Sequence, residues 1–367
     1  MTEQKGSLST KQHLGGLDLV RFYAACLVMI FHLGVVSWSL PISPNYDVVD
    51  APQYPELKWF DIGWVGVEIF FVLSGFVIAQ SADGKSAYSF FRSRIGRLLP
   101  AIWICATITL IAVMYFQMTI FGPVLSSYLR TLVLYPNGPW ISNVYWTLIV
   151  EIFFYSSIAV LLLTNAFKYV DLYAAALIAF SGIFLSSVTL FGWKTIHTYW
   201  LAQHGCFFGL GILLWLYSKN GFSALRFVLA IIALSLCLVE ICLVGNGRLE
   251  GRELWLAPAT WLLSVLAMFV STLIVIESNR TRTLGLLTFP LYLVHEKLGS
   301  GMLRISPWTG RWVALGFAIA VVMGVSYLVV RLEPPFRRAV ENCVDWIAVR
   351  IIPQRVLGRL SRGTVSV

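Results

Sequence analysis

The chain is built from a succession of about ten apolar runs, each of roughly 20 residues, the length an α-helix needs to cross a bilayer. The runs fall near 17–38, 61–80, 99–121, 143–164, 170–192, 200–217, 225–244, 255–276, 284–303 and 312–332. Hydrophobic residues make up 58% of the chain and charged residues 12%, too little polar surface to cover a soluble core. The expected fold is therefore an all-α integral membrane protein of about ten transmembrane helices. No hydrophilic stretch is left over for a separate folded domain. The run after Gly16 is too long for a signal-peptide core, so the first helix is expected to stay in the mature protein.

Lysine and arginine set the expected orientation. Lys5, Lys11, Lys85, Arg92, Arg94, Arg97, Lys168, Lys219, Arg226, Arg280, Arg282 and seven arginines from Arg331 onward fall on one side, 18 in all. Seven fall on the other: Lys58, Arg130, Lys194, Arg248, Arg252, Arg304 and Arg311. The positive-inside rule places both termini in the cytoplasm. This bias accounts for most of the net charge of +9 without nucleic acid. Three regions are expected: a cytoplasmic tail over 1–16, a membrane domain over 17–333, and a basic amphipathic tail over 334–367. The last would lie on an anionic inner leaflet. The loop from Trp38 to Phe60 is the longest connection on the outer side and reads as a cover near a cavity mouth, or as a plain connector. The six cysteines form no CxxC pair and read as packing residues, so neither a disulfide framework nor a metal site is expected.

Charges inside spans are costly and point to function. In LDLVRFYAACLVMIFH, Arg21 and His32 are eleven residues apart. Eleven residues make three turns plus roughly 20°, so the two share a face about 16 Å apart along the axis. Asp18 is placed to pair with Arg21. The bland alternatives are an arginine snorkelling to the interface and a core histidine bonded to another helix. In the second span, Glu68 needs a cation or a helix end, and Gly63, Gly66 and Gly75 allow a helix to approach closely. Arg92, Arg94 and Arg97 precede the third span. Arginine forks match phosphate oxygens, although topology alone also puts arginines there. Trp146 and Glu151 open the fourth span, with Arg21 or His32 as candidate partners for Glu151. In the ninth, Tyr292 and His295 share a face. His295, Glu296 and Lys297 are expected near the outer boundary, as an interfacial cluster or a functional one. Glu333 is expected to pair with Arg331 or a neighbouring arginine. His13, His197 and His204 are assigned no role.

Together LDLVRFYAACLVMIFH, GVEIFFVLSGFVI, FRSRIGRLLPAIW, WTLIVEIFFY, FPLYLVH and EPPF resemble, in order, the acyltransferase-3 family of bacterial membrane proteins. The second motif usually carries Asp where this chain has Glu68. The resemblance implies a multi-pass protein of the bacterial inner membrane, an acyl-CoA donor (usually acetyl-CoA) and a hydroxyl acceptor on a cell-surface or exported glycan or lipid-linked sugar. It implies no metal. In this picture Arg92, Arg94 and Arg97 hold the CoA phosphates. Arg21 with Asp18 orders the entry, and His32 is the general base or a transient acyl carrier. Glu151 or Glu68 orients one of these groups. Tyr292, Trp146 or backbone amides stabilise the oxyanion. A transporter or flippase using the intramembrane Arg, His and Glu as a relay is the competing class, and a homo-oligomer stays open.

Overall fold

The computed structural model describes residues 14–39, 52–116, 121–191, 201–246, 249, 251–274, 276, 278–304 and 310–351. Every regular element among them is helical, and no strand forms. Helix α1 (Gly15–Ile30) continues through a π-helical turn (Phe31–Val36) into α2 (Ser37–Ser39). A 3₁₀ segment (Pro55–Trp64) leads into α3 (Val65–Ala82). There follow α4 (Ala87–Tyr115), the short α5 (Phe121–Leu132), α6 (Trp146–Leu163), α7 (Val170–Phe191) and α8 (Gly205–Asn220). Helices α9 (Ala224–Asn246), α10 (Glu253–Leu273), α11 (Asn279–Arg304) and α12 (Arg311–Ile351) complete the bundle.

Among the described residues, eight helical stretches are long and apolar enough to cross a membrane, against the ten expected. The other two predicted spans exist as helices but differ in kind. Helix α8 has 16 residues, about 24 Å of rise, which is short for a bilayer. Helix α11 carries Arg280, Arg282, Glu296, Lys297 and Arg304 and is the most polar of the long helices. Both are heavily buried, so neighbouring protein, not lipid, surrounds them. By contrast α9 turns Leu225, Phe227, Val228, Ile231, Ile232 and Val239 outward. An apolar face of that extent suits lipid and not water.

Helix α3 is central. At its crossing with α8, a Cβ on Gly211 would meet the Phe76 amide nitrogen at 2.8 Å, and one on Gly75 would meet the Phe208 carbonyl. A Cβ on Gly66 would meet the Ala24 carbonyl of α1 at 2.6 Å. Small residues here let backbones touch, as expected for Gly63, Gly66 and Gly75.

The connections predicted to share a side do gather at one end of the bundle. Lys219 Nζ is 2.8 Å from Asp83, joining the turn after α8 to the one after α3. Arg226 reaches Asp171 at 3.6 Å. Arg94 and Arg97 sit at this same end, called here the arginine end. At the far end, Arg311 pairs with Glu56 at 2.5 Å, and the Tyr54 hydroxyl donates to the Arg311 carbonyl at 2.8 Å. Asp47 and Asp50 of the predicted outer loop, like His13 and His197, lie outside the described residues.

The tail departs from expectation. Helix α12 runs unbroken through Pro334 and Pro335 for 41 residues, about 60 Å of rise, twice a bilayer core. Its last turns therefore project beyond the bundle as a continuation of the span. They are held there by Arg92 on α4, as described next. Residues 352–367 lie outside the described residues.

Candidate functional site

Two connected cavities open from the arginine end. The outer one, about 390 Å³, is lined among the described residues by five cations, Arg21, Lys85, Arg94, Arg97 and Arg282, and one carboxylate, Asp18. Like charges facing one space repel, so the cavity is suited to an anionic ligand. The buried Nε of Arg94 has no hydrogen-bond partner among the described residues, while its Nη2 donates to Ser81 Oγ at 3.0 Å. The inner cavity, about 70 Å³, shares Arg21, Val77, Arg94, Arg97 and Gly285 with the outer one. It continues inward past Ser74, Glu151 and Tyr155 to Thr147, Phe70 and Tyr292.

Arg92 points elsewhere. Its Nε and Nη2 donate to the two carboxylate oxygens of Asp345 at 2.7 and 2.9 Å, and its Nη1 to Glu341 at 3.0 Å. The Tyr88 hydroxyl joins on Asp345 at 2.7 Å. Two residues from Arg94 is about 200° round a helix, so Arg92 is turned to α12 while Arg94 and Arg97 face the cavity.

Asp18 pairs with Arg21 at 3.8 Å, as the spacing predicted. Glu151 does not take Arg21 or His32 as its hydrogen-bond partner. It accepts from Ser74 Oγ at 2.5 Å and from the Tyr155 hydroxyl, one turn on, at 2.7 Å. Nor does Glu333 pair with Arg331, whose guanidinium donates to the Tyr327 hydroxyl at 3.0 and 2.6 Å. Glu333 lies instead within electrostatic reach of Arg97 and Arg337.

The inner cavity ends where the Phe70 ring meets the Tyr292 ring edge-on, 5.6 Å between centroids. The Tyr292 hydroxyl is 3.1 Å from Thr147 Oγ1. One turn further along α11 is His295, fully buried, and it meets His32. The distance from His295 Nε2 to His32 Nδ1 is 2.8 Å. Histidine 295 Nδ1 faces the carbonyls of Tyr292 and Leu291 at 2.8 and 3.2 Å. Carbonyls only accept, so that nitrogen carries the proton. In the neutral ring Nε2 is then an acceptor, and His32 donates to it from Nδ1. The lone pair of neutral His32 is left on Nε2. The bland reading of His32, a histidine bonded to another helix, is thus half of the finding; the bond fixes the tautomer of its ring. His32 also lies in the π-helical turn, a device frequent at functional sites.

Glu296 is turned into the protein and away from its surface. It is buried, and it accepts from Ser142 Oγ and, at 3.0 Å, from the Asn143 amide. It lies within electrostatic reach of both imidazoles, and Lys297 pairs with it at 3.5 Å. The polar run HEK read as interfacial because only tertiary contacts bury it. Trp146 stands against Phe71 and His204, with ring centroids 6.1 and 5.5 Å away, in the wall between the cavity and a second polar cluster. That cluster holds Glu68, His204 and Glu240, whose donor atoms lie within 4.8 Å of one another. Sequence reading gave His204 no role and passed over Glu240.

Residues 14–331 match the family model described as an acyltransferase domain, Acyl_transf_3. The chain belongs to the acyltransferase-3 family. A relative in Acidianus two-tailed virus, named "Putative acetyltransferase ORF330", is 28% identical over 212 residues. The match covers 55% of this chain and 57% of the viral protein, so the chain spans little more than half of that relative. No solved structure matches. Membership of this family, with the apolar helices, makes the chain a multi-pass membrane protein.

Proposed function

We propose that the chain transfers an acyl group, acetyl in the simplest case, from cytoplasmic acyl-CoA to a sugar hydroxyl of a cell-surface or exported glycan. One observation carries the reading: a cavity lined by five cations leads inward to Tyr292, and the next turn of the same helix bears the His295–His32 pair. In this reading the eight long apolar stretches cross the bacterial inner membrane, with α8 and α11 packed among them, and the arginine end faces the cytoplasm. Arg94 and Arg97 take the CoA phosphates with Arg21, Lys85 and Arg282 around them. Arg92 ties α4 to the end of α12 and supports the cavity from outside.

The pantetheine arm enters the inner cavity. Movement of the Phe70–Tyr292 contact admits the thioester to His32. As the sugar oxygen attacks the acyl carbon, its proton passes to His32 Nε2. The C–S bond then breaks, and the thiolate takes that proton back as the thiol. His295 accepts from His32 Nδ1 throughout, and the Glu296 carboxylate favours the transient imidazolium. Attack by Nε2 itself, forming a short-lived acyl-histidine, uses the same lone pair. The Tyr292 hydroxyl, turned from its bonds to Thr147 and the Val144 carbonyl, donates to the thioester oxygen.

The test is direct. Purified protein in detergent or nanodiscs is incubated with radiolabelled acetyl-CoA and glycan from the cell surface. Label on the glycan is expected. CoA-dependent labelling that never appears, with transport of a substrate measured in its place, would favour a transporter.

A further inference from the structure

The second polar cluster lies behind the cavity wall and takes no part in the proposed transfer. Glu68 comes from the first turn of α3, His204 from the residue preceding α8, and Glu240 from α9. Their exposures are 5%, 2% and 2%, so three titratable groups are withdrawn from water inside a helical bundle. Aromatic rings pack around them; Phe71, which also lines the inner cavity, lies 4.8 Å from the His204 ring. Two carboxylates at such a place must be balanced by protons or by a cation.

The geometry favours a cation. His204 Nδ1 is 3.0 Å from Glu240 Oε1, yet neither nitrogen of His204 has a hydrogen-bond partner among the described residues. Close approach without hydrogen-bond direction is what two ligands of one ion show. Adjacent ligands with bonds of about 2.1 Å lie about 3.0 Å apart round an octahedral ion and about 3.4 Å apart round a tetrahedral one. A protonated imidazolium would instead leave buried N–H groups unsatisfied, at a cost. Donor atoms within 4.8 Å of one another can close on one centre with shifts of about half an ångström to reach the ~2.0–2.2 Å of zinc bonds. Gln203 Nε2 donates to Glu240 Oε1 at 3.0 Å, the outer-shell support that orients a ligating carboxylate.

We propose that Glu68, His204 and Glu240 hold a divalent transition-metal cation that joins α3, α8 and α9. One imidazole and two carboxylates suit zinc or manganese better than magnesium or calcium, which prefer all-oxygen shells. The ion would act as a structural staple, bracing the Phe71–Trp146 wall of the cavity.

The experiment uses full-length protein without a polyhistidine tag. It is stripped with chelator, dialysed against Zn²⁺ or Mn²⁺, washed, and measured for metal by mass spectrometry and for Tm. About one equivalent per chain and a raised Tm are expected for the wild type. His204→Gln and Glu240→Gln are expected to lose both. Wild-type protein that stays folded but retains neither metal overturns the proposal, and so does equal binding by a folded Glu240→Gln protein. The wild-type arm decides even if a variant does not fold. Metal content is independent of acyl transfer, so failure of one leaves the other standing.

Discussion

His295 presents Nε2 to His32 Nδ1 at 2.8 Å, joining two residues 263 positions apart in the chain. The bond makes His295 a positioning residue. Together with the Val28 carbonyl, 3.2 Å from the same Nδ1, it sets which nitrogen of His32 holds the lone pair, and it does so from a ring whose own tautomer is fixed by two backbone carbonyls. Replacing His295 with Ala is expected to lower kcat while leaving KM for acyl-CoA nearly unchanged. His295→Gln, whose amide can still accept from Nδ1, is expected to recover part of the loss. Steady-state kinetics of the three proteins checks this; a KM effect with unchanged kcat would count against positioning.

The cavity arginines and Arg92 are expected to separate. Arg97→Ala removes a charge-assisted contact worth about 1.5–3 kcal/mol, so KM for acyl-CoA should rise roughly ten- to a hundredfold. Arg92→Ala breaks a half-exposed ion-pair network with Asp345 and Glu341 and should leave KM alone. Its stability cost is expected to stay within about 1 kcal/mol. Kinetics and thermal melts of both variants test the division.

Glu151→Gln should be costly for a reason unconnected with Arg21. Ser74 and Tyr155 each donate to one of its carboxylate oxygens. An amide can still meet both hydroxyls, since a hydroxyl also accepts, but neither bond is then charge-assisted. A loss of about 1–3 kcal/mol is expected from the two weakened bonds. Thermal unfolding in detergent reads it, and a variant as stable as wild type would contradict the account.

Much of this fold was legible because hydropathy and helical period are local. The apolar runs marked the helices, and the three-residue spacing paired Asp18 with Arg21. The close glycine contacts of α3 followed from the same reading. What was lost depends on contacts across the bundle. His295 looked interfacial because Glu296 and Lys297 follow it, and nothing local shows Ser142 and Asn143 waiting for Glu296. Arg92 was grouped with Arg94 and Arg97 by proximity, although helical geometry already turned it to another face. Glu240 was the plainest miss. A carboxylate in the middle of an apolar run needs a partner, the rule applied to Glu68 and Glu151, and its neighbour His204 stands far off in the chain, just before α8.

The α3–α8 crossing gives a stability prediction. In Gly211→Ala the new methyl meets backbone of α3, which cannot swing aside as a side chain can. The cost is expected at about 1–3 kcal/mol, read as a lowered Tm, with acyl transfer lost only as the fold is lost. Unchanged stability would mean the helices sit further apart.

The most direct measurement concerns His32 itself. In cells lacking the gene, wild type and His32→Ala are expressed to equal level, and acetyl on the surface glycan is measured by mass spectrometry. The account predicts a transfer rate reduced by roughly 10²–10⁴ for His32→Ala, the range of a lost general base. Full acetylation by His32→Ala at normal protein level would contradict it.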